Sequence, residues 1–125
     1  MLPEVEFRAA DGTTYNLCFN ARARYLFELS AGYPLHQLTA VRGTVSDVEL
    51  SRIVVAGLEG HRVRTKARKA PWTLDEVLDD VLADLSPDER LRLLAVCLDG
   101  VRIAFATSES PEAATGAEGK AATTG

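Results

Sequence analysis

Residues 72–98 read WTLDEVLDDVLADLSPDERLRLLAVCL, and this stretch decides the fold. Thr73 is placed to cap a helix, with Glu76 three residues on to complete a capping box. Ser86 repeats the device, with Pro87 at the first helical position and Glu89 reaching back. Between the caps Leu74, Val77, Leu78, Val81, Leu82 and Leu85 recur at helical spacing, and Asp75, Glu76, Asp79, Asp80 and Asp84 fall on the other face. The spacing predicts two helices back to back, a platform for the remaining chain. The second carries Leu91, Leu93, Leu94, Val96, Cys97 and Leu98 around much of its circumference, which predicts the central helix of a bundle.

Working outward, Val5 and Phe7 alternate with Glu4, Glu6 and Arg8, and Tyr15, Leu17 and Phe19 alternate with Asn16 and Cys18. Asp11-Gly12 lies between the runs, so they predict a β-hairpin whose face of Val5, Phe7, Tyr15, Leu17 and Phe19 packs on helices. Asn20 can cap a helix over residues 21–31, with Tyr25, Leu26 and Leu29 inward and Arg22, Arg24 and Glu28 outward. Gly32 and Pro34 end it. Leu35 and Leu38 could anchor a short helical turn. Ser46 and Glu49 form a further capping box, opening a helix through Leu50, Ile53, Val54 and Leu58 to Gly60. Gly57 within it predicts close packing, since glycine costs a helix about 1 kcal/mol against alanine. Residues 61–69, HRVRTKARK, break the apolar pattern and predict an exposed, mobile loop closed by Pro71.

After Asp99-Gly100, the residues Val101, Ile103 and Phe105 fit a strand or a continuation of the helix, with a slight preference for helix. Residues 107–125, TSESPEAATGAEGKAATTG, hold no large apolar side chain and predict a disordered tail. The expected architecture is α+β and mainly α: an N-terminal hairpin on a bundle of about four helices in residues 1–106, then a tail over 107–125.

A chain of 125 residues can bury one core without metal or disulfide support. Its net charge of −4 argues against general affinity for nucleic acid or membranes. Cys18 and Cys97 lack metal-ligand spacing and predict two buried thiols in a reducing compartment, a disulfide being the rival reading. No signal peptide or membrane-length apolar run stands out, which gives the expectation of a soluble, cytoplasmic protein.

No motif of catalysis is visible. His36 and His61 belong to no zinc pattern, and neither a dinucleotide-binding glycine motif nor a phosphate loop occurs. The expectation is a non-enzyme with no cofactor and no metal. The candidate partner-binding residues are Arg62, Arg64, Lys66, Arg68 and Lys69 in the basic stretch, with Trp72 beside it. Five cations could neutralise several phosphates. However, no aromatic residue interleaves them for base stacking, and five carboxylates follow on the next helix. A solvated loop balanced by that acidic face is therefore preferred over a nucleic-acid site. Trp72 suits either an interface anchor or a hydrophobic staple against Val77, the staple being preferred. The spread carboxylates from Asp75 to Asp84 are read as a solvated face rather than a metal site.

The order of parts resembles the tail assembly chaperones of long-tailed phages, prophages and gene-transfer agents. The likeness is carried by residues 15–19, 25–38, 46–58 and 72–98, that is, the hairpin, the helix ending LFELSAGYPL, the helix ending VAGL, and WTLDEVL with the final apolar helix. The long basic stretch departs from that pattern. The resemblance implies a protein of the bacterial host cytoplasm, absent from the mature virion. Such a protein holds the tape measure protein soluble while the tail is built. It also implies a longer form, made by ribosomal frameshifting, that recruits tail tube protein. Self-association is compatible with this role. The groove beside the central helix and the hairpin edge are the candidate client surfaces. Glu118-Gly119-Lys120 can be encoded GAG-GGA-AAG, which contains a slippery heptamer, so Gly119 and Lys120 mark a possible frameshift position near the end of the chain. A random Gly-Lys in a linker is the alternative. The rival function is a small nucleic-acid-binding regulator using residues 61–69.

Overall fold

The computed structural model describes residues 3–66 and 68–108. Strands β1 (Val5–Arg8) and β2 (Thr14–Leu17) pair antiparallel, with Val5 opposite Leu17 and Phe7 opposite Tyr15. The loop between them closes through the Ala9 N–H to Thr13 O at 2.8 Å and the Gly12 N–H to Ala9 O at 3.0 Å. The expected apolar face is present: Phe7, Leu17 and Phe19 are buried, and Val5 and Tyr15 pack half-buried against the same core.

Helix α1 (Ala21–Ala31) starts at Asn20, whose Oδ1 accepts the Ala23 N–H at 3.1 Å, and ends at a left-handed Gly32. The Asn20 Nδ2 also donates to Gly60 O at 3.0 Å, so the cap joins two helices. Asn20→Ala removes both bonds and is expected to cost about 1–2 kcal/mol. A urea titration checks it, and an unchanged midpoint would count against this role.

The inward face of α1 differs from the expected one. Ala23 and Phe27 are buried, whereas Tyr25 is 57% exposed and Leu29 70% exposed. One Phe ring at an i, i+4 spacing from a small alanine lets α1 approach the core closely, turning Tyr25 and Leu29 to solvent. A short 3-10 helix (Leu35–Ala40) follows, with Leu35 and Leu38 buried.

Helix α2 (Asp47–Thr65) begins at Ser46, whose Oγ accepts the Glu49 N–H at 3.1 Å. It corrects two expectations. It does not stop at Gly60 but runs five residues further, so His61 to Thr65 are helical and not loop. It is also the enclosed helix of the bundle, buried continuously from Ala56 to Gly60, whereas α4 (Pro87–Ser108) leaves Leu91 exposed. The reason is the hairpin's path. The strand end crosses α2, with the Cys18 N–H bonded to Gly57 O at 3.0 Å. A β-carbon on Gly57 would lie 2.7 Å from the Leu17 side chain, and one on Gly60 only 1.9 Å from the Cys18 carbonyl oxygen. Both glycines are points of backbone approach, and Gly60 ends nothing.

Residues 72–98 contain the two expected helical segments, with altered geometry. Helix α3 (Leu74–Glu76) is capped by Thr73, whose Oγ1 accepts the Glu76 N–H at 3.1 Å, and it runs on as a π-helical segment (Val77–Leu82). The wider π turn brings Val77, Val81 and Leu82 onto one buried face. Leu74 and Leu78, expected to face inward, are 38% and 37% exposed. Ser86 and Glu89 form the full reciprocal box: the Glu89 N–H donates to Ser86 Oγ at 3.2 Å and the Ser86 N–H to Glu89 Oε1 at 3.1 Å. Oε2 of Glu89 accepts the Ala10 N–H at 2.8 Å, tying the hairpin turn to α4. These backbone donors, Ser86 first and then Ala10, hold the Glu89 carboxyl below its ordinary range. A lowered folded value stabilises the fold above the unfolded pKa, and that contribution is lost as pH falls through the folded one.

Helix α4 continues past Gly100, so residues 101–106 are helix, with Val101 and Ala104 buried. It extends to Ser108, and the expected tail from 109 onward, with Gly119 and Lys120, lies outside the described residues. Cys18 and Cys97 are both buried and free, as the thiol reading expects. Burial pushes the Cys97 thiol up to about 12.

Candidate functional site

The basic stretch does not form a free cationic surface. Arg62 donates from Nε and a terminal nitrogen to Glu59 at 2.8 and 3.0 Å, and from its other terminal nitrogen to Lys69 O at 3.2 Å. The bonds to the Glu59 carboxylate raise the Arg62 pKa above its ordinary value. His61 Nδ1 lies 2.8 Å from Glu4 Oε2, and an Arg64 nitrogen lies 3.7 Å from the same oxygen and 3.4 Å from Cys18 Sγ. Arg68 bonds Glu76 at 2.5 Å and stacks over the Trp72 ring at 3.9 Å. Lys66 ends α2 in the left-handed region at φ 57°, its N–H bonded to Arg62 O at 2.7 Å. Among the described residues only Lys66 and Lys69 of the five candidate cations enter no ion pair.

The balancing carboxylates are therefore mostly not those expected. Glu59 and Glu4 take Arg62 and Arg64, and from the acidic helix Glu76 alone takes Arg68. Asp75, Asp79, Asp80 and Asp84 stay exposed. Among the described residues no group of three or more His, Cys, Asp or Glu side chains could hold a metal ion.

The paired cations act on Trp72. Its backbone N–H donates to Glu59 Oε2 at 2.7 Å, while the Arg68 guanidinium covers the ring. The indole is thus fixed at the wall of a groove that runs over α2 between α1 and α3. Leu26, Leu29 and Ser30 come from α1, Arg52, Val55 and Ala56 form the floor, and Trp72 and Leu74 form the far wall, around a cavity of about 300 Å³. A second apolar hollow of about 260 Å³ lies between α2 and the start of α4, lined by Val45, Leu50, Leu91 and Leu94 with Asp47 and Arg90. There Arg90 and Asp47 bond at 2.6 Å across its rim.

The groove gathers a sequence-predicted site residue, Trp72, with side chains the periodicity assigned to the core. The signal that could have found them is the surplus of apolar residues on α1. Phe27 with Ala23 completes an inward face, leaving Tyr25 and Leu29 without a buried place. The chain matches no protein-family model, no curated protein and no solved structure. Among the described residues no helix is long and apolar enough to cross a membrane.

Proposed function

We propose that this chain is a non-enzymatic tail assembly chaperone that binds the tape measure protein during phage tail building and keeps it soluble. One observation carries the reading: an apolar groove of about 300 Å³ whose lips bear Leu29 and Leu74, side chains that α1 and α3 leave partly in water. Such a groove suits the apolar face of an amphipathic helix. A long helical client offers many such faces, so copies binding weakly along it would together coat it. Ribosomal frameshifting near Gly119 and Lys120 would supply the longer form that recruits tail tube protein. The regulator reading has less support, because Arg62, Arg64 and Arg68 already face Glu59, Glu4 and Glu76.

The test is co-expression with the product of a very long, helical reading frame downstream. The native chain is expected to hold that product in the soluble fraction. Each groove leucine covered by the client contributes about 1–2 kcal/mol, so Leu29→Asp with Leu74→Asp weakens client binding by on the order of 100-fold. Both positions are solvent-accessible, so the double variant is expected to keep its native circular dichroism. A soluble client with the double variant would sink the groove reading. Tight, salt-sensitive DNA or RNA binding, lost when the five cations become Gln, would favour the regulator instead.

A further inference from the structure

Helix α1 carries its charges the wrong way round for its own dipole. Arg22 and Arg24 stand in its first turn and Glu28 in its last, with no acid in the first turn and no base in the last. A helix is stabilised by the opposite arrangement, acids at the N-terminus and bases at the C-terminus. Among the described residues Arg22 and Glu28 enter no ion pair, and the Arg24 guanidinium lies over the Phe105 ring at 5.4 Å. Between those charges the outer face holds Tyr25 and Leu29, four residues apart on one ridge, 57% and 70% exposed. Arg22 shares that ridge, its guanidinium 5.9 Å from the Tyr25 ring. The exposed face of α1 is therefore apolar at its centre, basic at one end and acidic at the other.

We propose that this face binds a second copy of the chain, α1 against α1 in antiparallel orientation about a two-fold axis. Reversal sets the basic end of each helix beside the acidic end of the other, so each end of the dipole gains the charge that its own chain withholds. Parallel packing would align like charges instead. Tyr25 and Leu29 then meet Leu29 and Tyr25 of the second copy, and one patch serves both sides, as a two-fold contact requires. The contact is small. The 11 residues of α1 span only about 16 Å, too short to bury the roughly 1,200 Å² of a stable interface, so the pair is weak, with a dissociation constant on the order of tens of micromolar. The pairing does not rest on the chaperone reading. Leu29 also forms a lip of the groove, so a second copy and a groove occupant compete for it.

Sedimentation equilibrium of the full chain, from about tenfold below to about tenfold above that constant, is expected to show monomer passing into dimer. Tyr25→Ser with Leu29→Ser, both at exposed positions, is expected to keep the native circular dichroism and to stay monomeric throughout. Leu74→Ser, on the far wall of the groove, is expected to dimerise as the native chain does. Charge reversal reads the orientation. Arg22→Glu alone and Glu28→Arg alone are each expected to weaken the dimer about fivefold at low salt, because like charges then lie side by side. Each reversal improves the dipole of α1 itself, so unfolding does not explain a lost dimer. An equimolar mixture of the two variants is expected to recover native association, with acidic ends set against basic ones again. A chain that stays monomeric over the whole range overturns the proposal, as does a dimer that survives in Tyr25→Ser with Leu29→Ser. Single reversals that associate like the native chain, or a mixture that recovers nothing, overturn the antiparallel pairing.

Discussion

Gly60→Ala is expected to destabilise the fold by about 3 kcal/mol, more than the same change at Gly57. The added carbon would lie 1.9 Å from the Cys18 carbonyl oxygen, 2.8 Å from Asn20 Oδ1 and 3.0 Å from the Cys18 carbonyl carbon. Two of these atoms are backbone, held by the Cys18 N–H to Gly57 bond and the Asn20 bond to Gly60 itself. Neither can yield as a flexible side chain would, so the strand end must lift from α2. Helix propensity works in the other direction. Alanine gains about 1 kcal/mol over glycine in a helix interior, and the expected loss is what remains after that gain. Gly57→Ala is the control. Its β-carbon would meet only side chains, Leu17 at 2.7 and 2.9 Å and Phe19 at 2.9 Å, which can repack at lower cost. Thermal unfolding is expected to show Gly60→Ala melting on the order of 10 °C or more below the native chain, with Gly57→Ala between them. If Gly60→Ala melts at or above the native temperature, the close crossing of β2 over α2 is wrong.

That crossing also marks where the sequence is legible and where it is not. The caps at Asn20, Ser46, Thr73 and Ser86 are local chemistry, readable because a side-chain oxygen and an N–H three residues on need nothing else. The hairpin face is readable for the same reason, since alternation alone places Phe7 and Leu17 inward. Gly60 and Gly100 are not. Each has the local appearance of a helix end, and each is instead the place where a distant segment comes too close for a β-carbon: Cys18 for one, the Phe19 ring at 2.8 Å for the other. Helix propensity gives way to tertiary packing there, and nothing within the neighbouring residues announces it. The exposed face of α1 and the π turn at Val77–Leu82 mislead in a related way. Both offer more apolar residues than their contact with the core can take up, and a periodicity count cannot say which of them are left over. Leu29, left over on α1, and Leu74, just before the π turn, became lips of the candidate site. The basic stretch misleads through charge: its carboxylate partners include Glu4 and Glu59, the first 57 residues from His61 in the chain.

Glu59→Ala is expected to cost roughly 2–4 kcal/mol and, beyond that, to loosen the groove wall in molecules that remain folded. Glu59 is 4% exposed, among the most enclosed charged side chains of the described residues, and three donors converge on its carboxylate. Two come from Arg62 and the third is the backbone N–H of Trp72. Arg62, so held, extends its remaining nitrogen to Lys69 O, and the chain from 69 to 72 is pinned to α2 at both ends of that span. Removing the carboxylate leaves the Trp72 N–H and the guanidinium facing each other as donors without an acceptor. Glu59→Gln keeps the shape but replaces one acceptor oxygen with an NH₂ group pointed at donors, so it is expected to lose about half as much. Two measurements separate stability from positioning. The urea midpoint reads the cost of unfolding, and Trp72 emission without denaturant reads the indole's surroundings. In Glu59→Ala the emission is expected to shift to longer wavelength as the ring leaves the Arg68 stack. Affinity for a leucine-striped amphipathic peptide is expected to fall by more than in Asn20→Ala, a variant destabilised by losing bonds to Ala23 and Gly60 and none to Trp72. An unchanged emission would mean that packing against Leu74 and the α2 floor holds Trp72 unaided. The Glu59 clamp would then belong to the stability of α2 and not to the shape of the groove.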